Sequence, residues 1–164
     1  MSKKITKKSG YVIDTNVLCV ASGKADHAED ECVGNAVRFL LKIQESKSVV
    51  YLDEVGEIFS EHKKKNQPLG KNGKLGDQFL SYLIQSMGNK NLVKWIEANK
   101  DEEGNYSDFP LEEELKKFDK SDRKFVAVAI ASNKNPEIVN AVDSDWKDFE
   151  DALKKYVKLK FLCK

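Results

Sequence analysis

Asp14 closes the short apolar run Tyr11-Val12-Ile13 and is followed at once by the small polar residues Thr15 and Asn16. A second acid of this kind, Asp143, follows Ile138-Val139-Asn140-Ala141-Val142, with Asp145 two residues further on. Between them in sequence, Asp122 stands just ahead of the apolar run Phe125 to Ala131, in the first turn of a helix for which Ser121 is the natural N-cap. Each acid alone is ordinary. Asp-Thr-Asn after a strand is turn and cap chemistry, Asp122 suits the positive end of a helix dipole, and Asp143 with Asp145 suits a turn. Brought into one pocket, they would repel and raise one another's pKa unless a cation neutralised them. Oxygen donors without Cys or His select hard ions, so Mg²⁺ or Mn²⁺ is the expected occupant. Such an ion holds a substrate phosphate, stabilises charge on the transferring group and lowers the pKa of a bound water. The chemistry this implies is phosphodiester hydrolysis.

Whether the acids meet depends on the elements that carry them. The run ending at Asp14 reads as a buried strand. Val33, Ala36, Val37, Leu40 and Leu41 then recur at helical spacing, after a polar loop or helix entry from Ala21 to Glu31. Ser48-Val49-Val50-Tyr51-Leu52 reads as a second strand ending at Asp53. Strand, helix, strand crossovers are right-handed and parallel, and ligands of such sheets collect beyond the carboxyl ends of the strands. Asp14 and Asp143 thus fall on one edge, with Asp122 at a helix start on the same edge. Further along, Leu75 to Met87 shows helical spacing, Leu92 to Ile96 fits strand or helix, and Asn99 to Asp108 is an acidic, turn-rich surface excursion. Leu111 to Phe118 reads as a short helix opened after Pro110, Phe149 to Tyr156 as another, and Val157 to Leu162 as a last strand.

A chain of 164 residues with 40% hydrophobic content can bury one core, so a single domain over 11–164 is expected, after a frayed basic tail at 1–10. The net charge of +1 creates no whole-molecule field toward nucleic acid or membrane, so any basic surface is local, as at Lys63, Lys64 and Lys65. Cys19, Cys32 and Cys163 are odd in number and lack CxxC spacing. That pattern argues for reduced thiols in the cytoplasm and against a disulfide frame or zinc site. His27 and His62 read as exposed, and Trp95 and Tyr106 as core aromatics with base stacking as the alternative.

The stretches Val12-Ile13-Asp14-Thr15-Asn16-Val17-Leu18, Ser121-Asp122-Arg123-Lys124-Phe125-Val126-Ala127-Val128-Ala129 and Val142-Asp143-Ser144-Asp145-Trp146 together resemble the PIN-domain nucleases. The resemblance spans most of the chain. It implies a three-layer α/β/α sandwich with a central, mainly parallel sheet, and a divalent-metal-dependent ribonuclease. It carries Asp14, Asp122 and Asp143 over as metal-site acids, and Asp145 as a metal ligand acting directly or through water. Asn16 would support Asp14, and Trp146 stands where the family has its usual aromatic.

The family also has an acid, usually Glu, in the helix after the second strand, where Glu54, Glu57 and Glu61 compete. Gly56 marks Asp53 to Glu57 as a turn and Ile58 to His62 as helix, which selects Glu61 as the catalytic acid, with Glu57 in support one turn earlier on the same face. Asp119 is expected to be a surface or capping acid. Lys63, Lys64 and Lys65, directly after Glu61, read either as a solvated run or as contacts for RNA phosphates. The implied reaction is endonucleolytic cleavage of single-stranded RNA by water, leaving a 5′-phosphate and a 3′-hydroxyl. Many small members are toxins, so an antitoxin or other regulatory protein is an expected partner, and a homodimer an expected assembly. An insertion at about 66–110 is longer and more polar than a minimal toxin needs, and specificity or a partner would reside there. The competing readings are a PIN-like binding module that does not cut, and a structure-specific DNA nuclease of the flap-cleaving group. Retained acids weigh against the first, and the lack of further acids and of a DNA-binding helical motif against the second.

Overall fold

The structure, a computed structural model, describes residues 9–142 and 144–163. Five strands, β1 (Gly10–Ile13), β2 (Val49–Asp53), β3 (Val93–Ile96), β4 (Glu137–Asn140) and β5 (Lys158–Phe161), form one sheet in the order β3-β2-β1-β4-β5. Every pairing is parallel. β2 is buried along its whole length, and β1 and β4 along all but their first residue, as strands covered on both faces must be. The edge strands β3 and β5 instead expose Lys94, Trp95 and Lys158, and lysine on an edge discourages further pairing. The fold is therefore α/β with an all-parallel sheet, consistent with a three-layer α/β/α sandwich.

The chain winds outward from β1 to β2 and β3, then returns past β1 to β4 and β5. The first excursion carries α1 (Thr15–Ala21), α2 (Asp30–Ser46), α3 (Glu57–Lys65) and α4 (Leu75–Ser86). The return carries α5 (Arg123–Ala131), α6 (Ser144–Asp148) and α7 (Glu150–Leu153). Right-handed crossovers in opposite directions put these two sets on opposite faces and open a crevice where the direction reverses, between the carboxyl ends of β1 and β4. The sequence places acids at both of those ends.

Residues 66–110 supply α4 and β3 before the loop that follows. α4 docks on α1 through Gly76, whose amide donates to Ser22 Oγ at 2.9 Å. A Cβ there would lie 2.2 Å from the Leu18 carbonyl oxygen and 2.3 Å from Ser22 Oγ. Gly76→Ala is accordingly expected to lower stability by about 1–3 kcal/mol, the usual range for overpacking, as a shift of the urea midpoint. An unchanged midpoint would mean that α4 is free to slide.

Several expectations are corrected. The segment after Asp14 forms α1, which sequence periodicity conceals because Val17, Leu18, Val20 and Ala21 are all buried. Leu92 to Ile96 resolves as β3. In place of a helix over 111–118 there is one 3₁₀ turn, Glu113–Leu115, since only Leu115 and Phe118 turn inward. The helix expected over 149–156 ends at Leu153 and starts afresh after Phe149, separating α6 from α7. Ser121 is not a cap. Asp119 caps a 3₁₀ turn, Lys120–Asp122, and α5 begins at Arg123. Cys32 and Cys163 form a disulfide with their Cα atoms 5.0 Å apart, although 131 positions separate them. That pairing removes the thiol-count argument for a reducing compartment. Among the described residues no helix is long and apolar enough to cross a membrane. Of the basic tail expected at 1–10, residues 1–8 lie outside the described residues, and Gly10 opens β1.

Candidate functional site

Asp14 leaves β1 with extended backbone and becomes the N-cap of α1. Its amide donates to the Val139 carbonyl at 2.9 Å, which ties it to β4. The carboxylate is 4% exposed and accepts from the Asn16 amide at 3.2 Å and from the Trp146 indole Nε1 at 2.8 Å. Asn16 reaches the other lip of the crevice, where its Oδ1 accepts from the Ala141 amide at 2.9 Å. Trp146 is fully buried, edge-on to Phe118 with ring centroids 5.1 Å apart. One buried aromatic thus fixes the first acid to the segment that carries Asp145.

Asp119, Asp122 and Asp145 each present a carboxylate oxygen within 4.8 Å of the other two. The trio joins the turn before α5 to the first turn of α6. Asp119 has the capping role expected of it, accepting from Ser121 N and Ser121 Oγ at 2.9 Å each, and it is also a member of this group. The Ser121 hydrogen bonds, helped by the charges of Lys124 and Arg123, hold its carboxyl below the usual carboxylate range. Asp14 is not a member of the trio, and Asp143 lies outside the described residues. Three carboxylates at this spacing, with no soft donor among them, fit a hard divalent ion such as Mg²⁺ or Mn²⁺.

The two glutamates of α3 point to different partners. Gly56 takes a left-handed conformation (φ 91°) ahead of the helix, and the buried Asp53 carboxylate caps it by accepting from Glu57 N and Ile58 N at 2.8 Å each. Glu57 accepts from Lys100 Nζ at 2.8 Å and from the Tyr106 hydroxyl at 2.5 Å, so it anchors the loop after β3. Those contacts, Lys100 first, depress its pKa, while burial and Glu57 push the Tyr106 phenol up. Glu61 instead pairs with Lys124 Nζ at 2.5 Å. The Lys124 side chain is 8% exposed, donates to the Ser121 carbonyl, and lies 4.7 Å from the centroid of the Phe125 ring.

His62 is not exposed but completely buried, because the inner face of α3 packs on α1. Its Nδ1 is hydrogen-bonded to Thr15 Oγ1 at 2.7 Å, and burial, with the Lys124 charge, drives its pKa down to about 3. Of the aromatics expected in the core, Tyr106 is buried, whereas Trp95 is 40% exposed on the edge strand β3.

Lys63, Lys64 and Lys65 end α3 and line a cleft of about 480 Å³ together with Lys24 and Lys74. Lys24 Nζ donates to the Lys65 carbonyl at 2.9 Å and pairs with Asp77 at 3.2 Å. The thiol of Cys19 is raised chiefly by burial, and it feels Lys24 and Lys65 in one direction and Asp14 and Glu61 in the other.

Sequence reasoning passed over Asp119 as a site acid, Lys124, and the Trp146 to Asp14 bond. The i, i+3 spacing of Asp119 and Asp122, which puts two residues of a helical turn on one face, was the available signal for the first. No family model matches the chain, and no curated protein and no solved structure is detectably similar to it.

Proposed function

We propose that the protein is a divalent-metal-dependent endoribonuclease of PIN-like fold that hydrolyses phosphodiester bonds of single-stranded RNA. The observation that carries this reading is the convergence of Asp119, Asp122 and Asp145 within 4.8 Å, with Asp14 bonded to Trp146, which neighbours Asp145 in sequence, at the sheet edge where the strand order reverses. Asp122 and Asp145 would hold Mg²⁺ or Mn²⁺ with Asp119, and Asp143 would join them as the resemblance implies. Bound there, the ion would supply charge stabilisation for the phosphoryl group and an acidified water. Asp14 orients the α6 segment through Trp146, and Asn16 keeps the two lips of the crevice in register. Lys24, Lys63, Lys64, Lys65 and Lys74 line one cleft and would offer a polyanion its phosphate contacts. An antitoxin or other regulatory protein, or a second copy of the chain, belongs to the same reading.

A second reading, a non-cutting nucleic-acid or protein binding module, draws on one observation. Glu57 and Glu61, the acids expected to complete the centre from α3, are both already paired with lysines. The test is to incubate the pure protein with labelled single-stranded RNA and DNA oligonucleotides in Mn²⁺, Mg²⁺ or chelator. Metal-dependent RNA cleavage leaving 5′-phosphates is expected. Binding without cleavage in either metal would select the second reading, and cleavage confined to DNA would replace the substrate.

A further inference from the structure

The Cys32–Cys163 disulfide joins the first turn of α2 to the residues that follow β5. β5 is an edge strand whose residues are all exposed or half-buried, whereas β1, β2 and β4 are buried almost throughout. Its end is therefore easily parted from the core. Three hydrogen bonds hold that end besides the bridge. Leu162 N donates to the Asn140 carbonyl at 3.0 Å, Asn35 Nδ2 of α2 to the Leu162 carbonyl at 2.8 Å, and Lys147 Nζ of α6 to the Cys163 carbonyl at 3.1 Å. The Lys147 ammonium also lies 5.7 Å from the centroid of the Phe161 ring. α6 thus leans on the backbone of a bridged cysteine, and α6 is the helix that carries Asp145 and Trp146. Cys32 and Cys163 are only 7% and 9% exposed, yet both line a cavity of about 440 Å³ with Asn35, Val142 and Phe161, so a small thiol can reach the bond.

We propose that Cys32 and Cys163 form a reversible thiol–disulfide exchange site, a redox latch opened by a small dithiol, whose state sets the hold on α6. One thiolate of the reductant attacks one Sγ and forms a mixed disulfide, while the other Sγ departs as a thiolate and takes a proton. The reductant's second thiolate then attacks its own sulfur in that mixed disulfide, which releases the first cysteine and leaves the reductant as a cyclic disulfide. Two electrons and two protons pass to the protein. Exchange with a small disulfide re-forms the bridge and releases two small thiols. In the reduced chain, residues 162 and 163 keep only the hydrogen bonds above, and α6 loses a fixed support. β1, β2 and β4 keep their own buried contacts, so the change is local. The latch stands independently of the nuclease reading, and only a consequence for RNA cleavage would rest on it.

The experiment uses the full chain, without metal or RNA, in dithiothreitol or in glutathione disulfide. Alkylation and peptide mapping under native conditions should label Cys32 and Cys163 only in the reduced sample, and glutathione disulfide should restore the bridge. Amide hydrogen exchange is then followed at Leu162 and at Phe149, whose N–H donates to the Asp145 carbonyl at 3.2 Å. Reduction should speed both by about tenfold or more, as when a restraint on local opening is lost. Cys32→Ser should exchange like the reduced wild type in either medium. Lys147→Met should separate the two amides, with Leu162 keeping its redox response and Phe149 losing it. A bridge that dithiothreitol does not open in the folded protein, unfolding of the whole chain on reduction, or acceleration in the wild type at Leu162 but not at Phe149 would each overturn the latch. If either variant does not fold, the wild type in the two media decides it alone. Failure of the nuclease reading would leave every one of these results unchanged.

Discussion

Asp122→Asn is expected to lower Mn²⁺-dependent RNA cleavage by at least ~10²–10³-fold, the range seen when one preorganised electrostatic group is removed from a reacting centre. Asp122 is 8% exposed and shares a 4.8 Å sphere with Asp119 and Asp145, so an amide there withdraws one of three charges from the ion without changing side-chain volume. Calorimetric Mn²⁺ affinity should fall in parallel. Asp14→Asn is a poorer choice. Both Asp14 oxygens accept hydrogen bonds, from Asn16 N and Trp146 Nε1, and an amide would turn its own donors toward one of those N–H groups. Wild-type cleavage by folded Asp122→Asn would end the nuclease assignment.

Acid should unfold this protein earlier than its carboxylates alone require, because of His62. Its folded pKa is about 3, against about 6.5 in an unfolded chain. Above pH 6.5 both states hold the neutral ring, and the contribution to stability is fully present. As pH falls through 6.5 the unfolded chain takes up a proton that the folded one refuses, and stability declines until about pH 3. At about 1.4 kcal/mol per pH unit the whole window amounts to roughly 4–5 kcal/mol, a large share of the 5–15 kcal/mol typical of a domain. Carboxylates contribute little above pH 5, so urea unfolding at pH 6.5 and 5 isolates the histidine. A fall of about 2 kcal/mol is expected in the wild type and little change in His62→Gln. Equal slopes in the two proteins would show that the ring is protonated in the folded state.

What could be read from residues alone divides along physical lines. Local chemistry was legible: an apolar run ending in Asp14, another ending before Asp143, and Gly56 marking a turn ahead of α3, although the helix opens at Glu57, one residue before the Ile58 start read from the sequence. The lateral order of strands was not, because parallel pairing leaves no trace in sequence spacing. The crevice between β1 and β4 emerges only from that order. His62 was misread because helical periodicity over α3 is weak, with Ile58 the one buried apolar residue to mark its inner face. The cysteine pair was misread because a bridge spanning 131 positions is set by tertiary approach rather than by motif. Lys124 was passed over for a related reason. A lysine in a first helical turn is normally solvated, and only its packing against Phe125 and Glu61 makes it part of the site.

The two sides of the crevice are contributed by opposite parts of the chain, Asp14 and Trp146 being 132 positions apart. A nascent polypeptide emerging from the ribosome therefore displays its first acid long before β4 and α6 exist to meet it. Throughout most of translation the acids stand apart, and on the ribonuclease reading proposed above the messenger being decoded would be shielded from its own product by the order of synthesis itself.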